Sequence, residues 1–219
     1  SPLPSPKDQS IHIDPRSAQM DESLGEFIDI FNRPDDSMIT VKKQKDFTMA
    51  KIIEDNNPVV LIRGRDTLDF PCEVMFEVLH NIEKRKEWDT VLQELHVVQK
   101  IDDSTDVIYN SVKGVMGASP RDFLQMRKYY QDCRGFDYII VNKSCELEEK
   151  PPIKKNVRAN CIIGGYLLKK VDQNKTMLGM IMQVDINGYV PKYFVNKFAP
   201  GKAIDWFKQF KKYLTAVHK

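Results

Sequence analysis

The sequence predicts an α+β fold, a curved antiparallel β-sheet gripping one long C-terminal helix. Three observations predict it. Runs of β-forming residues follow one another from Leu92 to Val184, with turn residues between them. The last stretch, from about Lys202 to Val217, places Ala203, Phe207, Phe210, Leu214 and Val217 on one helical stripe. The chain has 219 residues and is 42% apolar, enough for the core of one large domain.

Taken in order, residues 1–22 are rich in Pro, Ser and Asp and read as a flexible leader, with one domain over 23–219. A short helix is expected from Ser23, because Leu24, Phe27, Ile28 and Phe31 recur at helical spacing before Pro34. Strands follow at Met38–Lys43, Phe47–Ile53 and Val59–Arg65, with a turn at Asp55-Asn56-Asn57-Pro58. Pro71 suits the first turn of a helix, where its missing N–H is harmless, and Val74, Met75, Val78 and Leu79 then form a core-packing face. The later strands are expected at Leu92–Lys100, Asp106–Val112, Phe123–Tyr130, Tyr138–Ser144, Asn156–Lys170 and Met177–Val184. Asp102-Asp103-Ser104, Asp132-Cys133-Arg134-Gly135 and Asp172-Gln173-Asn174-Lys175 supply turns between them. In the terminal helix Ile204, Trp206 and Tyr213 widen the apolar stripe, and Lys208, Lys211 and Lys212 occupy the rest.

Bulk properties narrow the function. A net charge of +2 makes no general case for nucleic acid but leaves room for a local basic face that touches anionic membrane. Cys72, Cys133, Cys145 and Cys161 lack metal or redox spacing and read as free thiols in a reducing compartment, although their even number leaves disulfides open. No apolar run reaches membrane-spanning length and no signal peptide is visible. The chain is therefore expected to be cytoplasmic. Ser1-Pro2-Leu3-Pro4-Ser5-Pro6 reads as a processed boundary, so a removed targeting segment stays open. Catalytic patterns are missing: His12, His80, His96 and His218 neighbour no nucleophile or metal-ligand spacing, and there is no G-x-S-x-G elbow or P-loop. No enzyme activity, cofactor or metal is expected.

One ordered set of motifs is more specific. Pro71-Cys72-Glu73-Val74-Met75 leads to Lys84-Arg85-Lys86-Glu87-Trp88-Asp89, then to Ser119-Pro120-Arg121-Asp122-Phe123, Gly164-Gly165-Tyr166 and Asp185-Ile186-Asn187-Gly188-Tyr189-Val190-Pro191. In this order and at these distances the set resembles the START (StAR-related lipid transfer) domain family, from about Met38 to the C-terminus, and is most similar to its phosphatidylcholine-transfer-protein-like branch. The resemblance implies a helix-grip fold enclosing a lipid tunnel.

It also implies functional residues. Arg85 and Asp89, four apart, share a face if helical. Cation before anion is the poorer order for helix stability, so a purely structural pair is a weaker explanation. As an exposed ion pair they would contribute roughly 0–1 kcal/mol. In the resembling branch this Arg and Asp hold a zwitterionic head group, guanidinium to phosphate. Tyr109 and Phe123 lie nearest the family's choline cage. Asn110 stands where the phosphatidylcholine binder has Trp, and Cys161-Ile162 lie near a later family Tyr, so a broad head-group range is expected. Arg158 is a further candidate, needing a carboxylate or a ligand phosphate if it points inward. Arg121-Asp122 reads as structural.

Val115, Met116 and Gly117 fall in the loop that the family places at the tunnel mouth, and the helix carrying Phe207, Phe210 and Leu214 is the expected lid. The same loop also reads as an ordinary connection, and the helix as a core helix with a solvated lysine face. Lys192, Lys197 and Lys202 would extend a basic rim. The expectation is a monomeric, non-enzymatic carrier of a phosphatidylcholine-like glycerophospholipid that touches membranes transiently. The alternative is a carrier or sensor for a sterol or another hydrophobe.

Overall fold

A computed structural model of the protein describes residues 14–114 and 118–218. The chain opens with α1 (Pro15–Asn32) and a 3-10 turn (Asp35–Ser37), followed by β1 (Ile39–Lys43), β2 (Thr48–Glu54) and β3 (Asn57–Leu68). Two short helices come next, α2 (Cys72–His80) and α3 (Ile82–Trp88). The remaining strands are β4 (Leu92–Lys100), β5 (Thr105–Val112), β6 (Arg121–Cys133), β7 (Phe136–Ser144), β8 (Val157–Arg158), β9 (Asn160–Asp172) and β10 (Lys175–Asp185), and α4 (Lys192–Val217) closes the chain. The sheet order is β1-β2-β3-β10-β9-β7-β6-β5-β4, antiparallel throughout, with β8 pairing parallel to β6. The predicted fold class is the observed one.

Both faces of this sheet are covered, and strand alternation divides the side chains between them. Ile62, Ile140, Leu168 and Met180 pack with Ala203, Phe207, Phe210 and Leu214 of α4. Their strand neighbours Leu61, Ile139, Leu167 and Ile181 pack on the opposite face with Met20, Leu24, Phe27 and Phe31 of α1. Phe207 seats against β3 because Gly64 lacks a side chain: a Cβ there would meet the Phe207 ring at 2.6 Å. All four cysteines are free thiols.

The structure corrects the expected leader. The helix opens at Pro15, not Ser23, and Ser17 and Met20 are buried. Asp14 caps it by accepting from the Arg16 N–H at 2.9 Å, and Pro15 occupies the first helical position. Within the stretch expected as leader, Ala18, Gln19, Asp21 and Glu22 form this helix's exposed side; residues 1–13 lie outside the described residues. At its far end, the fully buried Arg63 of β3 donates to the carbonyl oxygens of Phe31 and Arg33 and pairs with Asp35. Those are carbonyls that a helix terminus leaves without partners of its own.

Two further boundaries differ. The run expected as one strand over Asn156–Lys170 breaks at Ala159, because Val157 and Arg158 pair with Arg121 and Asp122 of β6. α4 begins at Lys192 and runs through Pro200 and Gly201, although Pro interrupts helical hydrogen bonding. Its first turns are held from the side. Asn196 Nδ2 donates to the Pro58 carbonyl at 2.9 Å, and its Oδ1 accepts from the Val60 N–H at 3.1 Å.

If α1 is part of the folded core, Phe27→Ala, at a site with no solvent exposure, will lower unfolding stability by about 3–5 kcal/mol. Urea denaturation reads this directly, and a loss below about 1 kcal/mol would mean that α1 is not docked on the sheet.

Candidate functional site

α3 is short, and its sequence sets both ends. The Asn81 side chain accepts from the N–H groups of Glu83 and Lys84 at 3.0 and 3.2 Å, an N-cap. At the other end Asp89 leaves helical geometry, and its N–H bonds the Arg85 carbonyl. This turn brings the Asp89 carboxylate back over Arg85: Oδ2 accepts from Arg85 Nε at 2.9 Å and lies 2.7 Å from Nη2. Arg85 Nη1 donates to the Tyr166 hydroxyl at 3.1 Å. A guanidinium has five N–H donors, so donors remain beyond these contacts.

The surroundings are aromatic. The guanidinium carbon lies 5.0 Å from the Trp88 ring, 5.5 Å from Trp206 and 5.6 Å from Tyr166, within cation–π range. Trp206 of α4 stacks on Tyr166 at 4.9 Å and on Phe210 at 5.4 Å. Tyr166 is positioned by Gly165, whose φ of 145° favours glycine and where a Cβ would run into the Ile140 carbonyl oxygen. Asp89 is buried while Arg85 is partly accessible, so this pair differs from a surface bridge. Burial raises the Tyr166 pKa and keeps its hydroxyl protonated.

Arg85, Asp89, Tyr166 and Trp206 all line one cavity of about 420 Å³ between the sheet and α4. The exposed Val91 and Asp205 are among its lining residues, so one end reaches the surface. Much of the wall is apolar, with Ile108, Phe123, Ile140 and Met180 in it. Cys161 also lines it, and burial pushes its thiol up to about 12, which leaves a weak donor and not a nucleophile. Arg127 lines it too, but is held by the Asp106 carboxylate at 2.9 and 2.6 Å and by the His80 carbonyl at 2.8 Å.

The structure brings together only some of the residues expected at the site. Arg85, Asp89 and Phe123 face the cavity. Tyr109 does not: β-strand alternation turns it to the opposite face, where it packs with Val107 and Leu124. Its hydroxyl accepts from Asn156 at 3.3 Å, and the Lys150 ammonium sits 4.3 Å above its ring. Asn110, the next residue, takes the cavity position opposite Phe123. Arg158 is also corrected. It bonds the fully buried Asp122 at 3.1 and 3.2 Å, a partner that already compensates its charge. Arg121 is structural as expected, donating to the carbonyls of Ser119, Ile186 and Asn187.

Phe207, Phe210 and Leu214, expected in the lid, are core residues; α4 turns Ala203, Trp206 and Gln209 toward the cavity instead. Val115, Met116 and Gly117 lie outside the described residues. Sequence reasoning missed Trp206 and Tyr166 as partners of Arg85. It also passed over Gln125 and Asn142, whose signal was a polar side chain inside an otherwise apolar strand.

Comparisons with known proteins converge. The family model described as "START domain" matches residues 37–219. Human START domain-containing protein 10 is 36% identical over 129 residues, 59% of this chain and 44% of that protein. Its crystal structure superposes with a TM-score of 0.82 at 26% identity, covering 90% of this chain and 80% of that one. Human steroidogenic acute regulatory protein, mitochondrial, is 26% identical over 176 residues, 77% of this chain and 60% of that protein. The chain thus spans less than two thirds of the length of these curated relatives. Human StAR-related lipid transfer protein 5 shares the fold at a TM-score of 0.85 and 21% identity, covering 94% of this chain and 99% of that one.

Two outcomes test this geometry. Arg85→Ala strands the buried Asp89 carboxylate and is expected to lower stability by about 3 kcal/mol, whereas Arg85→Met with Asp89→Leu recovers most of the loss; equal losses in urea titrations would mean the pair is not coupled. At pH 8 a small alkylating agent should modify Cys72 and Cys161, whose thiols burial pushes up to about 12, at least about a hundredfold more slowly than a free cysteine peptide. Mass spectrometry of peptides from the native protein measures those rates.

Proposed function

The chain belongs to the START domain family, and we propose that it extracts a glycerophospholipid from a membrane and shields it in the cavity between the sheet and α4. The observation that carries this reading is the buried Asp89 holding Arg85 at the wall of a largely apolar cavity with donors unused. A phosphate would take those donors through charge-assisted hydrogen bonds, and Asp89 would favour a cationic group on the far side of the phosphate. Acyl chains gain about 0.8 kcal/mol per buried methylene, but they gain nearly as much in a bilayer. Uptake therefore depends on a fitting cavity and a compensated head group.

The aromatic groups narrow the head-group question. Trp88, Trp206 and Tyr166 surround the protein's own guanidinium, and Phe123 is the aromatic residue left at the expected choline cage, with Asn110 opposite it. This supports a range of phospholipid head groups over strict choline selection. Membrane contact in this reading is transient, by a monomer without enzyme activity. The gate in this reading is α4, whose exposed Tyr193 and Phe194 share its N-terminal turns with Lys192 and Lys197. No described helix is long and apolar enough to cross a membrane.

A sterol or similar hydrophobe is the second reading, and cavity size favours it. About 420 Å³ lies in the lower part of the ~300–1,000 Å³ range of small-molecule sites, so two acyl chains require the gap beneath α4 to widen.

Native mass spectrometry after incubation with mixed liposomes decides between them. A stoichiometric phospholipid adduct is expected, and a cholesterol adduct in its place selects the second reading. Arg85→Met with Asp89→Leu should reduce phospholipid transfer between vesicles at least about tenfold while circular dichroism stays native; undiminished transfer removes the head-group role of the pair.

A further inference from the structure

The cavity wall carries a second polar feature besides the Arg85–Asp89 pair. Asn110 on β5, Gln125 on β6 and Asn142 on β7 all line it, on strands adjacent in the sheet. Apolar Ile108, Phe123 and Ile140 flank them on the same strands. Asn110 Nδ2 donates to Gln125 Oε1 at 3.0 Å and joins two of the amides. Asn142 Oδ1 is buried and has no partner among the described residues, and no described residue accepts a hydrogen bond from its N–H₂ group.

Each side-chain amide carries two N–H donors and one carbonyl oxygen. With Gln125 Oε1 already accepting and Asn142 Oδ1 enclosed, the row offers more N–H donors than accessible acceptors. Donors facing an apolar space carry a desolvation penalty until something accepts from them. The matching ligand group is an acceptor with no donor of its own, which describes a carbonyl and not a hydroxyl. A diacyl lipid has such groups one glycerol unit below its phosphate.

We propose that Asn110, Gln125 and Asn142 form a carbonyl-recognition row that donates hydrogen bonds to the ester carbonyls of a diacyl lipid whose phosphate is held at Arg85. This rests on the phospholipid reading of the same cavity and adds to it a requirement for the ester linkage. The row then distinguishes lipids with identical head groups by the bond that attaches their chains.

The test compares two phosphatidylcholines of equal chain length, one with ester and one with ether linkages, loaded from vesicles and read by native mass spectrometry. The native chain is expected to take the diester about tenfold better. Gln125→Leu with Asn142→Leu should remove the preference by lowering diester uptake alone. Equal uptake of both lipids by the native chain overturns the row and leaves the phospholipid reading standing, whereas uptake of neither overturns that reading as well. A double variant that loses both lipids equally shows a structural role and overturns the proposal. If the variant does not fold, the native ester-to-ether ratio decides alone. A variant that loses cholesterol uptake with both phosphatidylcholines unaffected assigns the row to a hydroxyl and also overturns it.

Discussion

The central sheet has to satisfy two packed faces at once, and most of the molecule follows from that constraint. Ile139 and Val141 face α1 while Ile140 between them faces the cavity side. Leu167 and Leu168 divide the same way. A strand buried on both sides cannot slip by one residue without exchanging its whole set of contacts. The constraint also says where a cavity can exist. On the α4 face the core is filled where Phe207, Phe210 and Leu214 reach the sheet, and it stays open toward β5, β6 and β7, beyond the reach of those side chains.

Within that opening the Arg85–Asp89 pair answers a second constraint, the penalty on charge placed among apolar groups. Asp89 is almost fully enclosed, and a carboxylate so placed is costly without a partner. Arg85, the Tyr166 hydroxyl and three ring faces share the compensation. The pair is therefore assembled before any ligand arrives, which lowers the ordering cost of binding. Because Trp206 comes from α4 and Trp88 from α3, the same cluster ties the covering helix to the charged group it covers.

Period and punctuation made most of the fold legible. Leu92–Lys100 forms the strand its residues suggest, and the other strands differ mainly at their ends. The errors have physical causes. The first turns of α1 read as leader because an amphipathic helix with a narrow buried stripe is polar on average, and α4 reads as short because Pro200-Gly201 imitates a helix start that the Asn196 clamp overrides. At the site, motif order located Arg85 and Asp89 correctly in the wall. It could not settle parity: Tyr109 and Asn110 are neighbours in sequence and lie on opposite faces of the sheet. Arg158 stays a ligand candidate in the sequence because its partner, Asp122, lies across a strand pairing that no local pattern announces.

The chain contains two tryptophans, and both stand against the same guanidinium, with their rings 5.3 Å apart. Ultraviolet emission from this protein therefore originates almost wholly at one end of one cavity. The indole nitrogens of both are buried without hydrogen-bond partners among the described residues, so their emission starts from a dry setting. The molecule carries its own optical probe at that spot, and it needs no attached dye.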